Sequence, residues 1–220
     1  VCSSDLIKSL KPEVQVIGVE DVTMPSFTQA LAVGRVVDVP AKPTLADGLA
    51  TTRVGDNAFA TFRGRVDRGV VVSEELIAFS ILRLIELEKS VIEGAGAAPL
   101  AALLSGQLPE LRGKSVALLL CGGNIDPLVL GRVIEIGLAA DGRLSRLIAT
   151  ISDRPGGLAN LASIIAAAGA SIQHITHDRV FCGPDVSKVR VVCDIETHDI
   201  EHCQELIAAL AAHGIAVRPA

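Results

Sequence analysis

Hydrophobic and polar positions in the first 140 or so residues alternate between short apolar runs and longer stretches with helical spacing. Short β-branched runs bounded by turn residues are typical of buried parallel strands, and apolar residues every three or four positions indicate amphipathic helices. Ser73 is placed to cap one helix, because the acids after it favour the positive end of the helix dipole. The pattern predicts strands at 14–20, 69–72 and 115–121 (the last being the most strongly buried), helices at 26–33, 74–89, 95–104 and 127–138, and a loop at 36–49.

The pattern changes after the turn at Asp141 and Gly142. Strands are predicted at 144–152, 171–181, 188–197 and 215–218, with helices at 157–168 and 200–213 and a hairpin loop at Gly183–Pro184–Asp185. The order βαββαβ is that of the ferredoxin-like split βαβ, in which two helices cover a four-stranded antiparallel sheet. The sequence therefore predicts two domains, residues 1–142 and residues 143–220.

Composition narrows the class of protein. Half of the 220 residues are hydrophobic and 2% are aromatic, so the core must consist of Val, Ile, Leu and Ala, which favours helices packed on a sheet. A net charge of −5 with interspersed signs argues against nucleic-acid binding. The longest apolar stretches, 95–104 and 164–170, fall short of the ~18 residues that a membrane span needs. The five cysteines have no CxxC spacing and no leader precedes them, so we expect reduced thiols in a cytoplasmic protein.

A turn with the sequence SDRPGGL follows the first strand of the second domain. Pro155 and two glycines let the backbone turn tightly at a helix N-terminus, whose partial positive charge suits a ligand carboxylate. The turn resembles the DRPG-L turn of ACT domains, and residues 169–172 resemble the segment that starts the second ACT strand. The resemblance implies a regulatory module that pairs with its own copy and binds an amino acid between this turn and the partner's second strand. The effector-binding residues that it implies are Asp153, Gly156, Gly157, Leu158, Ser171 and Ile172. Alternatively, the turn merely caps a helix.

Four segments of the first domain, taken in order, resemble the threonine ammonia-lyases (threonine dehydratases), which are pyridoxal-phosphate (PLP) enzymes of fold type II related to serine racemase. They are KPEVQVIGVE at 11–20, TLADG at 44–48, EGAGA at 93–97 and CGGNID at 121–126. The resemblance implies part of a three-layer fold with a parallel sheet. It also implies that Cys121 contacts the pyridine nitrogen of PLP, and that Gly48, Glu93 and Gly122 line the cofactor pocket. Read without the resemblance, Cys121 is a buried structural thiol and Glu93 a surface acid.

Two features of that family have no counterpart in this sequence. None of the six lysines lies in a motif like that of the Schiff-base lysine, and no glycine run forms a phosphate cradle. Since the likeness begins at Ile7, in mid-helix, we expect an N-terminally truncated and inactive enzyme with no catalytic residue, in which residues 1–6 are foreign. Ser26 stands where some relatives have an acid of a cation site, and the histidines lack ligand spacing, so no metal is expected.

Three functions follow as hypotheses. The first is the C-terminal portion of an L-threonine (or L-serine) ammonia-lyase that yields 2-oxobutanoate and ammonia, regulated by an ACT domain. The second is a non-catalytic ACT fragment that dimerises and binds an amino acid. The third is a relative of serine racemase or of hydroxyaspartate ammonia-lyase. The expected partners are threonine or serine as substrate, isoleucine or valine as effector, and further copies of the chain, but neither nucleic acid nor membrane.

Overall fold

The computed structural model describes residues 2–179 and 187–220, and of Cys2 and Ser3 the backbone alone. The chain divides into two compact units, Val1–Gly137 and Leu138–Ala220. The helices are α1 (Cys2–Leu10), α2 (Ser26–Val33), α3 (Asp56–Phe62), α4 (Glu74–Arg83), α5 (Gly94–Leu104), α6 (Pro127–Ala140), α7 (Gly157–Ala167) and α8 (Ile200–Ala212). The strands are β1 (Ile17–Asp21), β2 (Arg68–Val72), β3 (Leu144–Ser152), β4 (Ser171–Asp178), β5 (Lys188–Glu196) and β6 (Ala216–Pro219). Among these described helices, none has both the length and the apolar character needed to traverse a bilayer.

The first unit has helices on both faces of a two-stranded parallel sheet. β1 pairs with β2 in register, Val19 beside Val70. On one face the strands carry glycines, because α2 lies so close that a Cβ on Gly18 would come 2.4 Å from the ring of Phe27. On the other face Val70 packs with α4 and α5 in the main core of this unit. This is the layered arrangement that the sequence predicts, although with two strands only among the described residues.

The prediction of a strand at 115–121 is wrong. This segment is not a strand of the structure, and most of it is exposed, Leu119 to 65%. A parallel strand needs neighbours for its N–H and C=O groups, and the described residues provide this segment with none. Of its apolar side chains, Leu120 packs against the core of the unit, whereas Val116 and Leu119 are exposed.

The other predictions for the first unit differ from the structure mainly at element boundaries. The hydroxyl of Ser73 caps α4 by accepting from Leu76 N, as expected, but the helix becomes a π-helix over Leu84–Glu88 and ends at Lys89 with a positive φ. Helix α3 is not predicted, whereas α1 contains Ile7, which the family likeness places in the middle of a helix. α1 begins within the residues expected to be foreign, yet Asp5 forms an ion pair of 2.5 Å with Arg65, which connects α1 to the turn after α3.

The second unit has the predicted βαββαβ order. Its four strands form an antiparallel sheet in the order β4-β5-β3-β6, which is the ferredoxin-like arrangement. α7 and α8 cover one face, where Leu161 and Leu206 pack against Leu147 and Val191. The predicted strand 171–181 ends at Asp178, and the predicted hairpin loop lies outside the described residues.

Candidate cofactor site and ligand-binding turn

The residues predicted to line a cofactor pocket come together at the N-terminus of α5. Glu93 N donates a hydrogen bond of 3.1 Å to Gly122 O. The Glu93 carboxylate lies over Gly122, since a Cβ on that glycine would be 2.4 Å from Glu93 Oε1. The same oxygen is 3.6 Å from where a Cβ on Gly48 would be. Glu93, Gly48 and Gly122, with Cys121 beside them in the chain, therefore form one group of residues, here called the Glu93 cluster.

Two further glycines make this meeting possible, and the sequence interpretation assigns them no role. A Cβ on Gly94 would lie 2.6 Å from Leu45 O, and a Cβ on Gly96 would lie 2.0 Å from Cys121 O. Any side chain there would push apart the three chain segments that build the site. Their alternation with alanines in EGAGA is the signal that could have identified them, because glycine marks close backbone approach.

Cys121 differs from the other described cysteines in its surroundings. It is a free thiol and exposed, whereas Cys193 and Cys203 are buried. Burial is the main cause that raises the pKa of the Cys193 thiol to about 11, with a smaller contribution from the charge of Asp194. Cys193 therefore stays protonated and inert, while Cys121 remains accessible beside Gly122, which has a φ of 88°. The prediction of a buried Cys121 at a strand end is thus wrong.

The turn of the second unit has the geometry expected of it. Gly156 has a φ of 92° and precedes α7, which has no side-chain cap. Gly157 lies so close to β3 that a Cβ would be 2.2 Å from Ser152 O. Both oxygens of Asp153 accept hydrogen bonds of 3.0 Å from Arg179 Nε. The Asp153 carboxylate is therefore paired within the chain.

A cavity of about 410 Å³ lies beside this turn. Arg154, Lys188 and His213 line it together with Gly157, and no acidic side chain of the described residues does so. Of the predicted effector residues, Gly157 alone lines this cavity. The remaining lining residues are Thr150, Ile151, Ser152, Asn160, Ser187, Gly214 and Ile215.

Ser171 and Ile172 lie at the other end of the same sheet. Ser171 is level with Glu196, which is level with Leu144 at the start of β3, whereas the turn follows Ser152 at its end. Eight residue steps at about 3.4 Å separate the two ends, or roughly 27 Å. One chain therefore brings Asp153, Gly156, Gly157 and Leu158 together but leaves Ser171 and Ile172 apart from them.

The histidines His198 and His202 contact groups of the second unit itself. The rings of His198 and His202 stack at 4.8 Å, and His202 Nε2 lies 2.7 Å from Ala168 O. Within the described residues, no group of three or more His, Cys, Asp or Glu side chains could hold a metal ion.

The chain has relatives among characterised enzymes. It is 44% identical to the L-threonine ammonia-lyase of Geobacter sulfurreducens over 211 residues, which is 96% of this chain and 52% of the relative. It is 41% identical to the L-threonine ammonia-lyase of Thermotoga maritima over 212 residues, again 96% of this chain and 52% of the relative. The chain thus spans about half the length of the curated relatives it matches. Both alignments are longer than the first unit, so they extend into the second.

Solved structures agree with this likeness. The threonine deaminase of T.th. has a TM-score of 0.53 and 35% identity, over 56% of this chain and 41% of that one. Maize serine racemase has a TM-score of 0.52 and 28% identity, over 58% of this chain and 40% of that one.

A family model supports the same relationship. The model of the pyridoxal-phosphate dependent enzymes matches residues 4–122, so the likeness begins slightly before Ile7, where the sequence interpretation placed it. That range contains the entire Glu93 cluster. The chain therefore belongs to the family of pyridoxal-phosphate dependent enzymes, whose members use PLP as cofactor.

Proposed function

We propose that this chain forms the C-terminal part of a PLP-dependent L-threonine ammonia-lyase, which removes water and ammonia from L-threonine, and from L-serine, to give a 2-oxo acid. The observation that carries the proposal is the Glu93 cluster. Its members come from three separate segments, and the fold alone does not require an exposed thiol, a carboxylate and two glycines at one place.

The residues of the Glu93 cluster fit PLP. Gly48 and Gly122 let Ala95 and the Glu93 carboxylate pack directly against the backbone, since a Cβ would lie 2.9 Å from Ala95 Cβ or 2.4 Å from Glu93 Oε1. This close packing holds the carboxylate beside the exposed thiol of Cys121, so that an acceptor and a thiol are available at one place to a heteroaromatic ring. When bound, PLP supplies an electron sink that makes the α-proton of an amino acid removable. Cys121 would hold the pyridine nitrogen through a neutral thiol, and Glu93 would accept a hydrogen bond from the cofactor or the substrate. No lysine of this chain is assigned to the Schiff base.

A chimera tests the catalytic role. The N-terminal half of the Thermotoga maritima relative is joined to this chain, and the release of 2-oxobutanoate from L-threonine is measured. We expect turnover by the chimera and none by the 220-residue chain alone. Cys121→Ser, which keeps a neutral hydrogen-bonding group, should retain most of the activity. Cys121→Ala removes a hydrogen bond worth about 1 kcal/mol, or roughly fivefold in rate.

Two results would contradict the proposal. A folded chimera that binds PLP but leaves L-threonine unchanged would exclude the lyase. Equal activity of the Ala and Ser variants would exclude the role of Cys121.

We propose further that the second unit is an ACT domain that binds isoleucine or valine and pairs with a second copy. The DRPGG turn supports this, because its glycines leave the N–H groups at the start of α7 without a side-chain cap. The alignment of the two ammonia-lyases over 96% of the chain also supports it, since the second unit is then common to enzymes of this activity.

A further inference from the structure

A buried carboxylate oxygen lies without a partner at the end of β1. Asp21 is level with Val72 of β2, so it reaches the place where α4 begins, and it is 2% exposed. Its Oδ1 accepts a hydrogen bond of 2.7 Å from Thr23 N and another from the Thr23 hydroxyl. Its Oδ2 has no hydrogen-bond partner among the described residues. A buried oxygen of this kind is costly unless something donates to it.

The group that faces Asp21 is a second carboxyl. Glu74, in the first turn of α4, accepts hydrogen bonds from Leu45 N at 2.8 and 3.0 Å and from the Thr44 hydroxyl. Glu74 also lies within hydrogen-bonding reach of the Asp21 side chain. Burial is the largest cause that raises the pKa of Glu74, and the charge of Asp21 raises it further, while the Thr44 and Leu45 donors act in the opposite sense.

The neighbouring charged groups do not offset this pair. Glu20 points to the opposite face of the sheet, where its two oxygens accept from Phe27 N and Thr28 N at the start of α2. Glu75 hydrogen-bonds to Ser73, which is the main reason why its pKa is lowered. Among the described residues, no lysine, arginine or histidine forms an ion pair with Asp21 or Glu74.

We propose that Asp21 and Glu74 share one proton over a pH range in which exposed carboxyls are ionised. Glu74 carries the proton and donates a hydrogen bond to Asp21 Oδ2, the buried oxygen that otherwise has no donor among the described residues. Two carboxylates within hydrogen-bonding reach of each other cannot both ionise without a penalty, and the described surroundings offer too few acidic ligands to hold a metal ion instead.

The shared proton acts on the Glu93 cluster through the loop of residues 44–48. Glu74 holds the start of this loop by Leu45 N, and the carbonyl of Leu45 lies against Gly94 at the start of α5. Glu74 and Asp21 are therefore positioning residues for that cluster. The inference concerns the folded chain itself and stands independently of the lyase function.

The sign of the pH effect follows from the raised pKa of Glu74. The folded chain keeps a proton that the unfolded chain releases, so the free energy of unfolding falls as the pH rises above the ordinary pKa of glutamate. The fall ends once the pH exceeds the raised pKa of the folded chain. Glu74→Gln keeps an N–H donor toward Asp21 but cannot ionise, and so should remove this part of the pH dependence.

The test uses the 220-residue chain labelled with ¹³C at the glutamate carboxyl carbons. We expect the Glu74 resonance, identified by its loss in Glu74→Gln, to titrate at a higher pH than the exposed glutamates, because burial and the Asp21 charge raise its pKa. The amide proton of Leu45 should shift with the same midpoint. Asp21→Asn should bring the pKa of Glu74 closer to the ordinary value of glutamate. This variant still tests the proposal if Glu74→Gln fails to fold.

Thermal unfolding provides the second readout and its control. As the pH rises above the ordinary pKa of glutamate, Tm should fall less steeply in Glu74→Gln than in the wild type and in Glu75→Gln. A Glu74 resonance that titrates with the exposed glutamates would overturn the proposal, as would an unchanged slope in Glu74→Gln. Magnesium chloride that raises Tm in the wild type but not in Glu74→Gln would also overturn it, because the pair would then hold a cation.

Discussion

At the scale of single residues, the Glu93 cluster depends on the absence of side chains as much as on their chemistry. The family likeness predicted a cofactor-binding role for Glu93, Cys121 and Gly122 because these residues lie in sequence motifs typical of the family. It did not indicate why Gly96 is glycine, since a close approach to Cys121 O from another segment leaves no local signal. The exposure of Cys121 could not be predicted from the sequence either, because an apolar run before a cysteine favours a buried thiol.

Gly96 and Gly131 offer a matched pair of substitutions. In Gly96→Ala the new Cβ would be 2.0 Å from Cys121 O, so we expect a loss of about 1–3 kcal/mol in the free energy of unfolding. In Gly131→Ala, within α6, the Cβ meets nothing within 4 Å, so we expect a gain of about 0.5–1 kcal/mol from helix propensity. Urea unfolding of both variants measures this. Equal effects would show that the approach of Gly96 to Cys121 O is absent.

At the scale of elements, the sequence was most informative where a helix or strand finds its partners within the same unit. The βαββαβ order and the Ser73 cap are local patterns, and the structure confirms both. The segment 115–121 failed because a buried parallel strand is defined by its neighbours, and apolar composition does not supply them. α3 was missed since its short apolar surface, carried by Phe59 and Phe62, gives little periodic signal.

A leucine-to-alanine substitution within the segment 115–121, compared with the same substitution in the core, measures how well this segment is packed. Leu119 is 65% exposed, whereas Leu82 in α4 is 4% exposed. Leu119→Ala should therefore change the free energy of unfolding by less than about 0.5 kcal/mol. Leu82→Ala should cost about 2–5 kcal/mol, because it leaves a cavity in the core. Chemical denaturation would contradict the structure if the two variants lost similar stability, since Leu119 would then be buried as the sequence predicted.

At the scale of the whole molecule, the two units raise different questions. The first holds the Glu93 cluster, which the family likeness predicted residue by residue although its segments are far apart in sequence. The second holds a turn and a strand start that the likeness assigns to one ligand, yet they occupy opposite ends of one sheet. No pattern in a single sequence specifies a contact between copies, so this part of the proposed site follows from the likeness alone.

Ligand titration tests the regulatory proposal on the full chain. Isothermal titration with isoleucine, valine and threonine should give heat with at least one of them. Ser171→Ala should weaken that binding about fivefold, as expected for one lost hydrogen bond. Ser163→Ala is the control, because the Ser163 hydroxyl donates to Ala159 O within the exposed side of α7. Absence of heat with all three amino acids would argue for a structural role of the turn.

The distance between the turn and Ser171 has a consequence for how such a site would respond. A ligand that must contact both is held by two chains at once, so its binding and the association of the chains are thermodynamically linked. Half-saturation would then move to lower ligand concentration as the protein becomes more abundant. The fraction of second units with bound ligand would then depend on both the concentration of the amino acid and the concentration of the protein itself.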